Sequence, residues 1–322
     1  MSTPGTLGAR ALAHVQGLWP RYPWWPPAPF VLLALFWGLQ GKLRWDHIAI
    51  VVVVAALAYG SLWTKRLFLG ILPIGLVGVL YDTMRFVKNV GLTPNNVHVC
   101  DVRAIDQRFF GMTWQGTRVT VHDYLQAHWT PFLDRYCAIP YGIFIAVVVA
   151  YSVYLFRRDY PGLLRFTWSF LALNVAGFIT YHVYPAAPPW YYHHYGCVVD
   201  LATHASEGPN LARVDAWLGI PYFAGVYGRS SDVFGAVPSL HVAYPLLMLL
   251  DGFRRHGLLG RVLLIWFYLS MCFAAVYLDH HWVFDIVLGS FYTVVISWLM
   301  RRVLNARLGL ELPAVSVHGV VK

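Results

Sequence analysis

Charge is what this sequence has least of. Only 12% of its 322 residues are charged, against 58% hydrophobic and 16% aromatic, a balance too apolar for an ordinary soluble domain and too long for a single anchor. Acidic residues are the scarcer sign, 15 Asp and Glu against 24 Lys and Arg, for a net charge of +9. No basic aromatic patch accompanies that excess, so it reads as topology and contact with anionic lipid, and nucleic acid is excluded as a partner. Cysteine is sparse as well: there are four, and none has zinc-site spacing. The N-terminus lacks a basic start, a compact apolar core and a small-residue cleavage site in that order, so the first spans are expected to do the targeting. Internal repeats, low-complexity tracts and a second soluble domain are also missing.

What is present is a succession of apolar runs, to be judged against the roughly 20 residues a helix needs to cross a bilayer core. Eight candidate spans follow: Pro29 to Gln40, His47 to Trp63, Leu67 to Met84, Cys137 to Phe156, Leu163 to Tyr184, Leu240 to Phe253, Val262 to Leu278 and Trp282 to Met300. The first is short and follows "RYPWWPPAP", which resembles an interfacial approach, and the sixth is short too. The expected fold is an all-α integral membrane bundle of about six to eight transmembrane helices with amphipathic interfacial helices. Its expected parts are an N-terminal segment with the first spans (1–66), a main membrane domain (67–302) and a short tail (303–322).

Eight crossings put both termini on one side. That side then collects Arg10, Arg21, Lys65, Arg66, Arg157, Arg158, Arg254, Arg255, Arg301 and Arg302, which marks it as cytoplasmic. The long loops Arg85 to Tyr136 and Pro185 to Ser239 fall on the opposite, extracytoplasmic face. Cys100 and Cys197 lie in those loops, where an oxidising compartment permits a bridge; the plain alternative keeps all four cysteines as small buried residues. Within the first loop, "DVRAIDQRFFG" and "VTVHDYLQAHWTPFLDRY" mix apolar and charged residues at helical spacing, as surface helices do. In the second, Pro188 and Pro189 of "APPWYY" predict an extended turn, Trp190 suits an interfacial belt or a headgroup wall, and His193 and His194 read as exposed.

Two stretches carry chemistry. In "FGAVPSLHVAYP", Phe234 to Pro245, Ser239 is placed to cap a helix whose first turn holds His241. In "YLDHHWVFDIVLG", Tyr277 to Gly289, His281 and Asp285 are four apart and share a helix face, and a carboxylate there can hold an imidazole's tautomer. His280, five before Asp285, is the poorer match. Both motifs begin apolar runs at the same predicted face. Ionisable groups in a membrane domain are costly and point to function, against plainer readings as an interfacial hydrogen bond for His241 and a structural ion pair for His281 and Asp285.

"PSLH" at Pro238 to His241 and the His281, Asp285 pair resemble signatures of the type 2 phosphatidic acid phosphatase (PAP2) superfamily. With "YPAAPPWYY" at Tyr184 to Tyr192, they are similar to the branch containing fungal inositol phosphorylceramide synthase and its bacterial relatives. The resemblance covers about Tyr81 to Met300. It implies that His281 is the nucleophile, Asp285 its orienting partner and His241 the acid that protonates the leaving oxygen.

The chain departs from the phosphatase branch in having no Arg-Pro dipeptide, and Ala275 stands where that branch has an Arg six residues before the second histidine. The synthase-like branch shares these departures. Phosphoryl transfer still needs charge stabilisation, for which Arg85, Lys88 and Arg229 are the substrate-binding candidates, each also readable as an interfacial anchor. The resemblance adds Trp190 and Ser239 to the substrate-binding set. The resulting expectation is a lipid phosphotransferase without metal or cofactor. It would pass phosphoinositol from phosphatidylinositol to a ceramide-like or other lipid alcohol through phosphohistidine. A phosphatase with water as acceptor, and a non-enzymatic lipid transporter or scaffold, are the alternatives.

Overall fold

A computed structural model of the chain describes residues 7–87, 90–204, 210–228 and 233–307, without the side chains of residues 85 and 86. It divides into two compact units, Met1–Pro73 and Ile74–Lys322. The first holds α1 (Leu7–Leu18), α2 (Ala28–Leu39), α3 (Trp45–Gly60) and the start of α4 (Leu62–Val87), which continues into the second. The Trp19 indole N–H donates to the Ala58 carbonyl at 2.9 Å, and Lys65 both donates to the Leu18 carbonyl and lies 4.3 Å over the Trp19 ring. The aromatic, proline-rich approach is thereby tied to α3 and α4 through backbone carbonyls at helix ends, which have no intrahelical donor.

The second unit continues with α5 (Cys100–Phe110), a hairpin of β1 (Met112–Trp114) and β2 (Thr117–Val119), α6 (Val121–Ala127), α7 (Pro131–Arg158), α8 (Tyr160–Val183) and α9 (Pro189–Tyr195). The short helices α10 (Ala212–Leu218) and α11 (Tyr222–Tyr227) precede α12 (Leu240–Gly252), α13 (Leu258–Tyr277) and α14 (Val283–Arg307). Local signals fix the starts. Thr130 accepts from the Leu133 amide ahead of α7, Asp159 from Gly162 ahead of α8 and Ser239 from Val242 ahead of α12, and each satisfies an otherwise orphaned helix N–H.

Among the described residues five helices are long and apolar enough to cross a membrane: residues 62–84 of α4, then α7, α8, α13 and α14. By length and composition these are five of the expected spans, and α12 also runs from the His241 end of the bundle to the end where Arg255 pairs with Asp159. Helices α2, α3 and α12 have 12, 16 and 13 residues, and at 1.5 Å per residue they fall short of a ~30 Å hydrocarbon core. Helix α12 packs instead against α7, α8, α13 and α14 and buries Leu240, Val242 to Met248 and Asp251. It is the bundle's central helix, apolar on nearly every side because neighbouring helices cover it.

Three further expectations change. The hairpin interrupts the all-α reading: Gln115 (φ 49°) and Gly116 (φ 77°) form its two-residue turn, both central residues having the positive φ that tight hairpins favour. Helix α14 runs to Arg307, past the expected boundary at 302, and residues 308–322 lie outside the described ones. The second proline of "APPWYY" starts a helix, because Pro189 occupies the first position of α9, where a missing N–H costs nothing. Each amphipathic stretch contains a helix, α5 in the first and α6 in the second, whose last residues begin α7. Cys100 and Cys197 form a disulfide across 97 residues, while Cys137 and Cys272 are free.

Candidate active site

The N-termini of α12 and α14 and the C-terminus of α13 meet at one end of the second unit. Close approach is possible there because Gly289 has no side chain: a Cβ on it would stand 2.4 Å from the Ser239 carbonyl oxygen. The contact is sealed by the Ser239 amide, which donates to the Asp285 carbonyl at 3.0 Å. Ser239 is fully buried, and its hydroxyl accepts from the Val242 amide at 3.4 Å. Its position is that of a cap that sets the first turn of α12, where His241 lies.

His281 faces that turn from the short connection between α13 and α14. Its amide and that of His280 both donate to the Ala275 carbonyl, at 3.1 and 3.0 Å, which folds "DHH" back over the end of α13. The His281 Nδ1 donates to the Ala236 carbonyl at 2.9 Å, and Nε2 lies 3.1 Å from the Nδ1 of His241. Because a carbonyl can only accept, the proton of a neutral His281 belongs on Nδ1 and Nε2 carries the lone pair. Burial holds His281 down to about 4, despite the opposing bond to Ala236, so the neutral, nucleophilic form prevails at neutral pH.

Asp285 differs from expectation. Its Oδ2 is 3.5 Å from the His281 Nδ1, beyond good hydrogen-bond length, and accepts instead from the Trp282 amide at 2.9 Å. The expected orienting contact is therefore made by the Ala236 carbonyl, while Asp285 caps α14. A second carboxylate supports the same turn, since Asp106 of α5 is fully buried and accepts from the Phe284 amide at 3.0 Å.

The Ala236 carbonyl is itself held by the loops. The Ala236 amide donates to Ala186 at 3.1 Å and the Ala186 amide to Phe234 at 2.7 Å, while the His98 amide donates to Pro185 and the Ala187 amide to His98, at 2.8 Å each. Trp282, fully buried, donates its indole N–H to the Ala187 carbonyl at 2.9 Å. These three loop segments are thus laced side by side beneath the turn that carries His281. The Cys100–Cys197 bridge ties the same region.

Histidine and tyrosine rings surround the pair. Tyr141 of α7 stacks on His241 at 4.8 Å and Phe144 meets it edge-on at 5.1 Å. His280 lies 4.5 Å from Tyr141 and 4.9 Å from Tyr227. Tyr141 was not singled out by sequence reasoning, for a tyrosine inside an apolar run looks like core.

His193 is exposed, as read from sequence, yet it is held in an ion network that sequence did not show. Its Nδ1 lies 2.5 Å from Asp279 and its Nε2 3.1 Å from Asp123, which in turn pairs with Arg103 at 2.8 Å. Burial would lower its pKa, but the bonds to Asp123 and Asp279 prevail and raise it to about 9. Asp279 adjoins the turn that carries His280 and His281, so this ion network joins α5, α6 and α9 to it. The signal available beforehand was Asp279 beside two histidines, together with His193 and Asp123 in loops of the same predicted face.

Of the expected substrate-binding residues, Ser239 caps α12. Trp190 is buried with Val97, Val99, Ala187, Tyr191 and Phe234 in a loop core, away from a lipid-facing belt. Lys88 and Arg229 lie outside the described residues, as does the side chain of Arg85. Among the described residues no group of three His, Cys, Asp or Glu could hold a metal ion.

Comparison with known proteins agrees with this arrangement. Residues 111–299 match the family model described as the PAP2 superfamily. The chain is 30% identical over 281 residues to the phosphoinositol dihydroceramide synthase of Bacteroides thetaiotaomicron, covering 84% of this chain and 88% of that one. It is also 30% identical over 276 residues to the inositol phosphorylceramide synthase catalytic subunit AUR1 of Saccharomyces cerevisiae, and 26% identical over 271 residues to the Schizosaccharomyces pombe counterpart. Those two matches span 84% and 81% of this chain, but only 62% and 58% of the fungal proteins. No solved structure matches. With a histidine pair at the mouth of a helical membrane bundle and a family match over more than half its length, this chain belongs to the PAP2 superfamily and is an enzyme of that superfamily's phosphotransferase or phosphatase type.

Proposed function

We propose that this enzyme transfers phosphoinositol from phosphatidylinositol to a ceramide-like or other lipid alcohol by way of a phosphohistidine. The observation that carries the reading is the His241–His281 contact of 3.1 Å with the His281 Nδ1 committed to Ala236. That arrangement leaves a nucleophilic nitrogen facing an imidazole able to move a proton. The names of the relatives supply the donor and acceptor classes.

In the first half-reaction the His281 Nε2 bonds to phosphorus as the bond to the diacylglycerol oxygen breaks, and His241 delivers a proton to that oxygen. The phosphodiester's negative charge supports a cationic His241 for this step. Phosphorus must enter between the nitrogen and the leaving oxygen, so the two imidazoles part as the headgroup binds. In the second half-reaction His241 takes the acceptor alcohol's proton while its oxygen displaces the N–P bond. The site acts on the extracytoplasmic face, where the long loops and their disulfide lie and an oxidising compartment sustains the bridge. Arg157, Arg158, Arg254, Arg255 and Arg301 gather at the other end of the helices, as cytoplasmic residues do.

Phosphatidylinositol labelled in its inositol phosphate, incubated with purified protein with and without ceramide, tests the reading. Label moves into a ceramide-linked lipid with wild type and not with His281→Ala. Release of soluble inositol phosphate at the same rate with or without ceramide would instead establish hydrolysis, and no His281-dependent change would dismiss the donor.

A further inference from the structure

Two polar atoms beside His241 have no hydrogen-bond partner among the described residues. The Tyr141 side chain is 3% exposed and its hydroxyl is unpaired; His280 is 7% exposed and its Nε2 is likewise unpaired. Both rings belong to the cluster around the proton carrier of the transfer: Tyr141 is stacked on His241 at 4.8 Å, and His280 lies 4.5 Å from Tyr141 and 5.9 Å from His241. A phenylalanine would fill the volume of Tyr141, and a buried hydroxyl without a partner only costs free energy. Two such atoms in one ring cluster, within reach of the transfer centre, call for an oxygen-bearing ligand common to both.

We infer that the Tyr141 hydroxyl and the His280 Nε2–H donate hydrogen bonds to the non-bridging oxygens of the phosphodiester while His281 attacks its phosphorus. The inference rests on the transfer reading above and assigns it two more catalytic residues. Both donors are neutral. Burial, with the neighbouring His241 and His281, holds His280 well below the ordinary histidine range, so it keeps one proton and can present it on Nε2. Neutral donors suit a phosphodiester, which brings one negative charge. They suit a phosphate monoester less, because a dianion loses far more on leaving water. In the attack, the N–P bond forms and the P–O bond to the diacylglycerol oxygen breaks. The non-bridging oxygens gain negative character in passing, and these donors meet it without themselves losing a proton. The site would thereby favour diester donors over lipid phosphates by the charge it accepts as well as by its shape.

The test uses the full chain in mixed micelles, with phosphatidylinositol and its two phosphorothioate diastereomers as donors, and reads the initial rate of labelling of the protein. Tyr141→Phe, nearly isosteric, is expected to lower labelling by about 10²-fold with unchanged thermal stability. His280→Gln keeps an amide donor and is expected to lose less than His280→Leu. Sulfur accepts hydrogen bonds poorly, so wild type is expected to prefer one diastereomer, and that preference should shrink towards one in Tyr141→Phe. A wild-type rate in Tyr141→Phe and His280→Leu, or a loss that leaves the diastereomer preference intact in both, would overturn the inference. Absence of labelling in wild type would fail the transfer reading and this inference together, whereas wild-type labelling with unaffected variants fails this inference alone.

Discussion

The tautomer of His281 is set by Ala236, whose carbonyl oxygen lies 2.9 Å from the His281 Nδ1, while Asp285 stands 3.5 Å away and caps the following helix. The orientation of the ring therefore comes from the backbone. Where a carboxylate alone holds a histidine's tautomer, its amide replacement costs ~10⁴-fold in kcat. Here Asp285→Asn keeps an oxygen to cap Trp282 and leaves Ala236 in place. Its expected loss is nearer ~10²-fold in kcat, with little change in KM, as steady-state kinetics would show. A loss as complete as that of His281→Ala would return the orienting role to Asp285.

The His193 network predicts a stability profile. Its pKa is raised to about 9 from an unperturbed 6.5. The stabilisation is fully present below about 6.5 and is lost as pH climbs through about 9. At 1.36 kcal/mol per unit, discounted for partial exposure, this amounts to roughly 2 kcal/mol. Thermal unfolding of wild type should shift downwards between pH 6.5 and 9, and the shift should vanish in His193→Gln. Equal slopes in the two proteins would assign the alkaline loss to another group.

Much of the site was legible beforehand because it is written in side chains. Ser239 as a cap and His241 in a first helical turn follow from residue type and spacing and are found there, whereas His281, expected to share a helix face with Asp285, lies in the connection before α14. What did not show was written in backbone and distance. Any residue could have supplied the carbonyl that Ala236 presents, and His193 and Asp123, 70 residues apart, were placed by sequence only in loops of one face, without being paired. Apolar periodicity marked helices well and their lengths less well, since α12 is as apolar as a span yet is covered by protein. The hairpin of three-residue strands carried only Gln115 and Gly116 as a signal.

The Cys100–Cys197 disulfide should matter for both stability and activity. Closing a loop across 97 residues is worth roughly 4–5 kcal/mol on a chain-entropy model, and it ties loops that hold Ala186, Ala187 and Ala236 in register. Cys100→Ser with Cys197→Ser is expected to lower the unfolding temperature and to depress kcat. Reductant should do the same to wild type and leave the double variant unchanged. Full activity in the double variant would mean that backbone bonds alone hold the Ala236 carbonyl.

Gly289 offers the sharpest test of the contact between α12 and α14. A methyl group there would meet the Ser239 carbonyl at 2.4 Å, and backbone on both sides leaves no flexible side chain to yield. Gly289→Ala must therefore separate the helix that carries His241 from the helix that follows His281. Overpacking of this kind costs about 1–3 kcal/mol, which a helical bundle of this size can survive. Catalysis cannot absorb it so easily, because a displacement of about 1 Å between reacting groups costs on the order of 10²-fold. The variant should stay monodisperse in detergent with a modestly lower unfolding temperature and lose about 10²-fold in kcat. Gly78 of α4 serves as the control, since a Cβ there would meet nothing within 4 Å, and Gly78→Ala should leave the rate unchanged. If Gly289→Ala matched it, the helices would have room that their backbones do not show, and the spacing of the two histidines would be set by the loops alone.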